Sequence, residues 1–237
     1  MSDMQTVTMP GMATRIFRPL YSLVGYVLIF GACLFISSGR IDWTMAWAYL
    51  ALEGCYMAVN SLILTAVRPE LIAERVSIKK DTRGWDKALA VLIVFASLAI
   101  CVVAGLDIRF GWSSSLPIKL SLIALVVSVP GHLMFLWAMA SNRFFAATVR
   151  IQKERGHAAV TRGPYRYVRH PAYAGSIIVQ LMAPVILGSA LALIPAVLAV
   201  CLIIVRTGLE DRMLREELDG YGDFARTVRY RLFPGVW

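Results

Sequence analysis

Between Ala88 and Leu106 the chain reads ALAVLIVFASLAICVVAGL, 19 residues without a charge. A helix of that composition offers water no polar face, and about 20 apolar residues are what roughly 30 Å of hydrocarbon requires. Three other stretches meet the same test: Leu20 to Ser38, Trp43 to Val67, and Leu116 to Ala140, where Lys119 lies near enough to the start to snorkel. The first is too long for a secretory-signal core and no small-residue cleavage pattern follows it, so it reads as a retained span. With 58% hydrophobic and only 16% charged residues, the chain lacks the polar surface of a soluble domain. The expectation is an all-α, multi-pass integral membrane protein.

A fifth apolar block, Tyr173 to Val205, does not fit a simple span. As one helix its 33 residues would reach about 50 Å, beyond the hydrocarbon thickness. Pro184, Gly188 and Pro195 fall near its middle, and two helices joined by a turn around Gly188 to Leu191 satisfy them better. One kinked helix is the alternative. The architecture expected is therefore four transmembrane helices in residues 1–141, then 142–237 with a C-terminal helical hairpin at 173–205. Cys33, Cys55, Cys101 and Cys201 lie one per apolar segment with no C-x-x-C or Cys/His cluster, so each reads as a small buried side chain and no metal is expected.

Lys and Arg in short loops set orientation. The loop after the second span carries Arg68, Arg75, Lys79, Lys80, Arg83 and Lys87, and the segment after the fourth carries Arg143, Arg150, Lys153, Arg155, Arg162, Arg166 and Arg169. The loops after spans one and three hold only Arg40 and Arg109, while Arg15 and Arg18 precede the first span. All the rich stretches fall on one side if four helices cross in succession, and that side reads as cytoplasmic. The six arginines from Arg206 onward join it only if the fifth block enters and returns. The net charge of +9 thus follows loop topology, which argues against a nucleic-acid surface.

The same rule brings two polar regions to one face. The first holds Gln152, His157, Tyr165, Tyr167, Arg169, His170 and Tyr173, punctuated by Gly156, Gly163, Pro164 and Pro171, so it is turns and short helices. Gly175 lets a ligand or a neighbouring helix come close. In the second, Arg206 and Glu210 share a helix face at i,i+4. Taken singly, these residues have plain readings: a marginal surface ion pair, a structural histidine, tyrosines of an interfacial belt. Together they suit a ligand with both charges, since aromatic faces and carboxylates favour a cation and arginine favours a carboxylate or phosphate. S-adenosylmethionine meets that description; so does a nucleotide.

The run Gln152, His157, Val160, Gly163, Tyr165, His170, Pro171, Tyr173, Gly175 closely resembles the isoprenylcysteine carboxyl methyltransferase family. The tail is similar as well, with Arg206, Glu210, Leu214, Gly222, Phe224 and the RLFP run ending at Pro234. The resemblance spans roughly residues 130 to 237. It implies a membrane-embedded methyltransferase that uses S-adenosyl-L-methionine in a cytoplasmic pocket, with 142–237 as its catalytic region, and a lipid-side tunnel for a hydrophobic acceptor. By matched position, Gln152, His157, Ala158, Ala159, Val160, Tyr165, His170, Pro171, Ala172, Tyr173 and Glu210 would line the cofactor. Arg206 would orient the acceptor carboxylate. Asp211 stands where a second glutamate is frequent, Phe224 and Thr227 replace frequent tyrosines, and the Gln152-to-His157 spacing is short.

The resemblance implies carboxyl-O-methylation of an isoprenylcysteine-like or other hydrophobic, lipid-linked acceptor, in the inner membrane if the source is prokaryotic. An ionised carboxylate needs no general base, so the protein would mainly position it and exclude water. A phospholipid amine or a small thiol would need a proton removed, and His170 is then the first candidate base. From other classes, an NADPH-dependent sterol-reductase-like enzyme has a similar C-terminal architecture but more helices, and a non-catalytic membrane scaffold is the plain alternative. Glu53, Tyr56 and Asn60 share one face of the second span and line an acceptor tunnel or make a packing hydrogen bond. His132 is open in the same way.

Overall fold

The computed structural model describes residues 12–69, 71–72 and 82–237. Of the charges counted above, Arg75, Lys79 and Lys80, and the side chains of Arg15 and Arg18, lie outside the described residues. The described chain forms seven α-helices and no strand: α1 Met12–Ser38, α2 Thr44–Leu62, α3 Gly84–Phe110, α4 Ile118–Ser141, α5 Pro171–Ile186, α6 Leu193–Glu217 and the short α7 Tyr221–Thr227. Four are long and apolar enough to cross a membrane: α2 with its π-helical extension to Val67, α3, α4 and α6. In α1, of 27 residues, Leu23–Ser38 is the apolar part whose side chains are described, and α5 is shorter than a full span. At 16 residues α5 reaches only about 24 Å.

The fifth apolar block is two helices. Pro171 opens α5 at a position where its missing N–H costs nothing. The chain leaves the helix after Ile186, and Gly188 takes φ +77°, a left-handed conformation that lets α6 start back beside α5. Pro195 sits in the first turn of α6, which tolerates it; Pro184 is carried inside α5 without ending it. The expected turn at Gly188 to Leu191 lies within this reversal.

Hydrogen bonds fix which ends of the bundle meet. Ser189 in the hairpin turn donates to Asp107 at 2.5 Å near the end of α3, and the Leu116 N–H donates to the Gly188 carbonyl at 3.1 Å. Gly39, after α1, lies against the Arg109 guanidinium. The opposite end gathers the polar chain: Arg68 donates to the Ala140 carbonyl at the end of α4, Arg83 pairs with Glu217 at the end of α6, and Thr82 bonds Thr148. The basic stretches 82–87, 142–169 and 206–231 therefore share one end, as loop charge requires.

Two close-packed features matter for the site. Gly131 of α4 and Gly175 of α5 face each other so closely that a Cβ on Gly175 would strike the Gly131 carbonyl. The close neighbour of Gly175 is thus a helix. In the bundle core, Glu53 of α2 meets His132 of α4 at 3.1 Å, with the Tyr56 ring 4.7 Å from the imidazole. Glu53 makes the packing hydrogen bond that the sequence offered as one of its two readings.

Candidate functional site

Where α5 and α6 emerge at the polar end, the segment 142–170 folds over them and encloses a cavity of about 340 Å³. Gly163 makes that fold possible: its φ is +61° and a side chain there would collide with Ser141 at the end of α4. Asn142 ends α4, its carbonyl oxygen Oδ1 accepting the Phe144 N–H at 2.8 Å and its amide donating to the Tyr165 hydroxyl at 3.2 Å. Every residue that the resemblance assigned to cofactor or acceptor lines this cavity, namely Gln152, the run His157 to Val160, Tyr165, the run His170 to Tyr173, Arg206 and Glu210, whereas Tyr167 is exposed and does not. The lining residues named come from five separate stretches of the chain.

Arg206 and Glu210, one turn apart, do not use each other as their hydrogen-bond partners. Glu210 accepts a 2.6 Å bond from the Tyr173 hydroxyl. Arg206 donates from Nε to Asp86 at 2.7 Å and from Nη2 to the Ala147 carbonyl at 3.0 Å, with its guanidinium 5.4 Å from the Tyr173 ring centre. The surface ion pair at i,i+4 is replaced by two interhelical contacts that turn both heads toward the cavity. Asp86, in the first turn of α3, is wholly buried and also accepts the Val149 N–H at 2.8 Å. One carboxylate thereby ties α3, α6 and the loop 142–170 together.

A second carboxylate holds the tail. Asp211 is buried and accepts from Arg169 at 2.7 Å, Arg231 at 2.9 Å, Arg215 at 3.1 Å and the Tyr221 hydroxyl at 3.0 Å. The His170 Nε2 lies 3.4 Å from the same carboxylate and from the Tyr221 hydroxyl. Arg169 reaches on to the carbonyls of Val228 and Arg229, both at 2.7 Å, and the N–H groups of Arg169 and His170 donate to Tyr230 and Arg231. Residues 228–231 are thus laid along the loop before α5, and the imidazole of His170 is held by Asp211 and Tyr221 beside the Tyr173 ring. The two rings stack at 5.9 Å.

The remaining lining is less polar than its letters suggest. Both ends of the Gln152 amide are taken: Nε2 donates to the Phe144 carbonyl at 2.7 Å and Oε1 accepts from Arg155 at 2.6 Å. His157 accepts the Gln152 N–H at 3.3 Å and packs on the Phe144 ring. Burial, aided by the charges of Arg150 and Arg155, pushes its pKa down to about 4, so it is a neutral ring at pH 7. Burial raises the Tyr165 phenol above its usual range despite the Asn142 bond, and raises Tyr221 further with Asp211 beside it. Tyr165, Tyr221, Phe224, Leu218 and Ala172 belong to one apolar cluster, so the cavity has an aromatic end and a charged end.

Asp86, Asn142 and Tyr221 were missed in the sequence, and Asp211 was noted only as a departure from pattern. Asp86 carried one usable signal, an acid between Arg83 and Lys87; Asp211, next to Glu210 in a run of mixed charge, carried none. Among the described residues no group of three or more His, Cys, Asp or Glu is placed to hold a metal ion. Residues 122–216 match the family model described as Isoprenylcysteine carboxyl methyltransferase (ICMT) family, which supports the resemblance read from the motifs and a membrane methyltransferase. No curated protein matches the chain.

Proposed function

We propose that this chain, whose residues 122–216 match the isoprenylcysteine carboxyl methyltransferase family, uses S-adenosyl-L-methionine to methylate a hydrophobic acceptor, with carboxyl-O-methylation of an isoprenylcysteine-like or other lipid-linked carboxylate favoured. The observation that carries this reading is the convergence on one cavity of a carboxylate held by a tyrosine, Glu210 with Tyr173, and of Arg206 held by Asp86. A cavity of about 340 Å³ lies within the range of roughly 300–1,000 Å³ typical of small-molecule sites.

The residues present fit the cofactor. Glu210 and the rings around it suit a cationic centre, the aromatic end suits a purine, and the neutral His157 to Val160 edge adds a wall without charge. When bound, the cofactor supplies an electrophilic methyl group on a sulfonium. Gln152, with its amide already engaged, is read as a strut that holds this edge rather than as a ligand contact. Arg206 holds an ionised acceptor carboxylate through its remaining N–H groups, and its tie to Asp86 fixes the direction of the guanidinium. Such a carboxylate needs no proton removed, so the protein acts by alignment and by keeping water out.

His170 supports a second reading within the class. Its 3.4 Å contact with Asp211 would orient a general base, which a phospholipid amine or a small thiol would require. The concentration of Arg and Lys at the polar end supports a cytoplasmic site. Equilibrium binding of radiolabelled S-adenosylmethionine and NADPH to detergent-purified protein tests the class: the first is expected to bind and the second not. Glu210→Ala and His170→Ala are expected to lose affinity, and normal binding by both variants would refute the site. Methyl transfer into farnesylcysteine, phosphatidylethanolamine and thiol acceptors tests the reaction.

A further inference from the structure

We infer that the acceptor carries a second, neutral hydrogen-bonding group, a hydroxyl or an amide, which docks in a separate chamber inside the bundle. The inference rests on the methyltransferase reading and narrows its acceptor.

The chamber has a volume of about 190 Å³ and lies among α1 to α5. Its polar lining is Glu53, His132, Ser97, Ser176 and Gln180, with Tyr26, Tyr49 and Tyr56 beside them. Phe135 lines both this chamber and the site cavity, so the two adjoin at that residue. On α5, Tyr173, Ser176 and Gln180 are spaced i, i+3 and i+7 and share a face. Tyr173 lines the site cavity and the other two line the chamber. At the rise of a helix, Ser176 is about 4.5 Å and Gln180 about 10.5 Å along from Tyr173. On α4, Phe135 and His132 repeat the relation.

A plain hydrocarbon chain does not call for such a wall. Ionisable groups at membrane depth are costly and mark ligand or ion paths. The Ser128 carbonyl, 2.9 Å from His132 Nδ1, can only accept, so Nδ1 carries the proton. Nε2 and Glu53 then share the one remaining proton across 3.1 Å, and the pair is neutral as a whole. A charged guest would find no net counter-charge there, while a neutral donor finds the second carboxylate oxygen of Glu53 as an acceptor, since both nitrogens of His132 are taken. Gln180 uses its Nε2 on Ser97 at 2.6 Å, and its Oε1 has no protein partner among the described residues. That oxygen is available to a ligand hydroxyl or N–H. The volume equals about six waters at ~30 Å³ each, enough for a short polar chain end or a ring.

The test uses the full chain in nanodiscs saturated with S-adenosylhomocysteine, with protein-free nanodiscs as the partition blank. Radiolabelled ω-hydroxyoctanoate and octanoate are the probes. The hydroxy acid is expected to bind about tenfold more tightly, the factor one well-made buried hydrogen bond supplies. Glu53→Leu and Gln180→Leu are expected to cut that preference below about threefold, with octanoate and S-adenosylhomocysteine affinities unchanged. Equal affinity for the two acids in the unsubstituted chain, or a preference that survives both substitutions, overturns the proposal. Gln180→Leu serves if Glu53→Leu does not fold, retained S-adenosylhomocysteine binding being the check. Loss of S-adenosylhomocysteine binding in the unsubstituted chain would instead refute the methyltransferase reading, and the preference between the two acids can be measured without it.

Discussion

Replacing Asp86 by alanine removes the carboxylate that joins three parts of the molecule. The side chain is wholly buried and Arg206 is 13% exposed, so the guanidinium would lose its partner in a place where water reaches it poorly. Breaking a buried pair by deleting one member costs about 3–5 kcal/mol. The Val149 N–H loses its acceptor as well, but Arg206 keeps its bond to the Ala147 carbonyl, which places the expected loss near the lower figure. For a chain of this length 1 kcal/mol corresponds to roughly 2–4 °C. Asp86→Ala should therefore lower Tm by roughly 6–12 °C. Cys55 and Cys201 are exposed rather than buried as the sequence suggested, so thermal unfolding is followed with a thiol-reactive dye in a Cys55→Ser, Cys201→Ser background, where the fully buried Cys101 reports opening of the core. The double variant Asp86→Ala with Arg206→Met removes both charges and should regain at least half of the loss, since the two residues act as a pair. A single-variant loss below about 2 °C, or losses that simply add in the double variant, would refute the reasoning.

Tyr173→Phe removes the 2.6 Å bond to Glu210 while keeping the ring. A hydrogen bond to a charged group is worth about 1.5–3 kcal/mol, so S-adenosylhomocysteine affinity should fall by roughly ten- to hundredfold, read by equilibrium binding. Gly175→Ala places a methyl group against the Gly131 carbonyl and should cost about 1–3 kcal/mol in the same thermal assay, with the unsubstituted Tm arguing against the close helix contact. His157 gives a pH prediction with a defined sign. Its folded pKa of about 4 lies below the ordinary value near 6.5, so the unfolded chain takes up the proton first as pH falls. Stability is whole above about pH 6.5 and declines toward pH 4. His157→Asn should flatten that part of a Tm-against-pH curve; an unchanged slope would show that other groups set it.

The span boundaries and the hairpin were legible because apolar length, prolines and loop charge all act locally or by simple alternation. Gly188 and Pro171 announced their jobs by residue type alone. The candidate lining was legible through a motif, and the structure brings all of it to one cavity. What the sequence hid is the pairing of charges. Arg206 and Glu210 looked like partners because four residues separate them, yet each found a better acceptor or donor on another helix. No spacing rule could assign Asp86 to Arg206 across 120 positions. Gln152 was matched to the cofactor wall and lines the cavity, and the partners of its amide, Phe144 and Arg155, are visible only once the loop is folded.

The Asp211 cluster has a consequence for how the cavity opens. Arginines from three places in the sequence, the loop before α5, the last turns of α6 and the segment after α7, converge on that one carboxylate with Tyr221. Lifting residues 228–231 would take Arg231 from Asp211, the Val228 and Arg229 carbonyls from Arg169 and the Arg231 carbonyl from the His170 N–H in a single event, leaving Arg169 and Arg215 on the carboxylate. Detachment of the tail thus gives up several bonds together, and a molecule held by the His170 to Tyr173 wall favours the attached state. Occupancy of the cavity and protease resistance of the tail become two readings of one equilibrium.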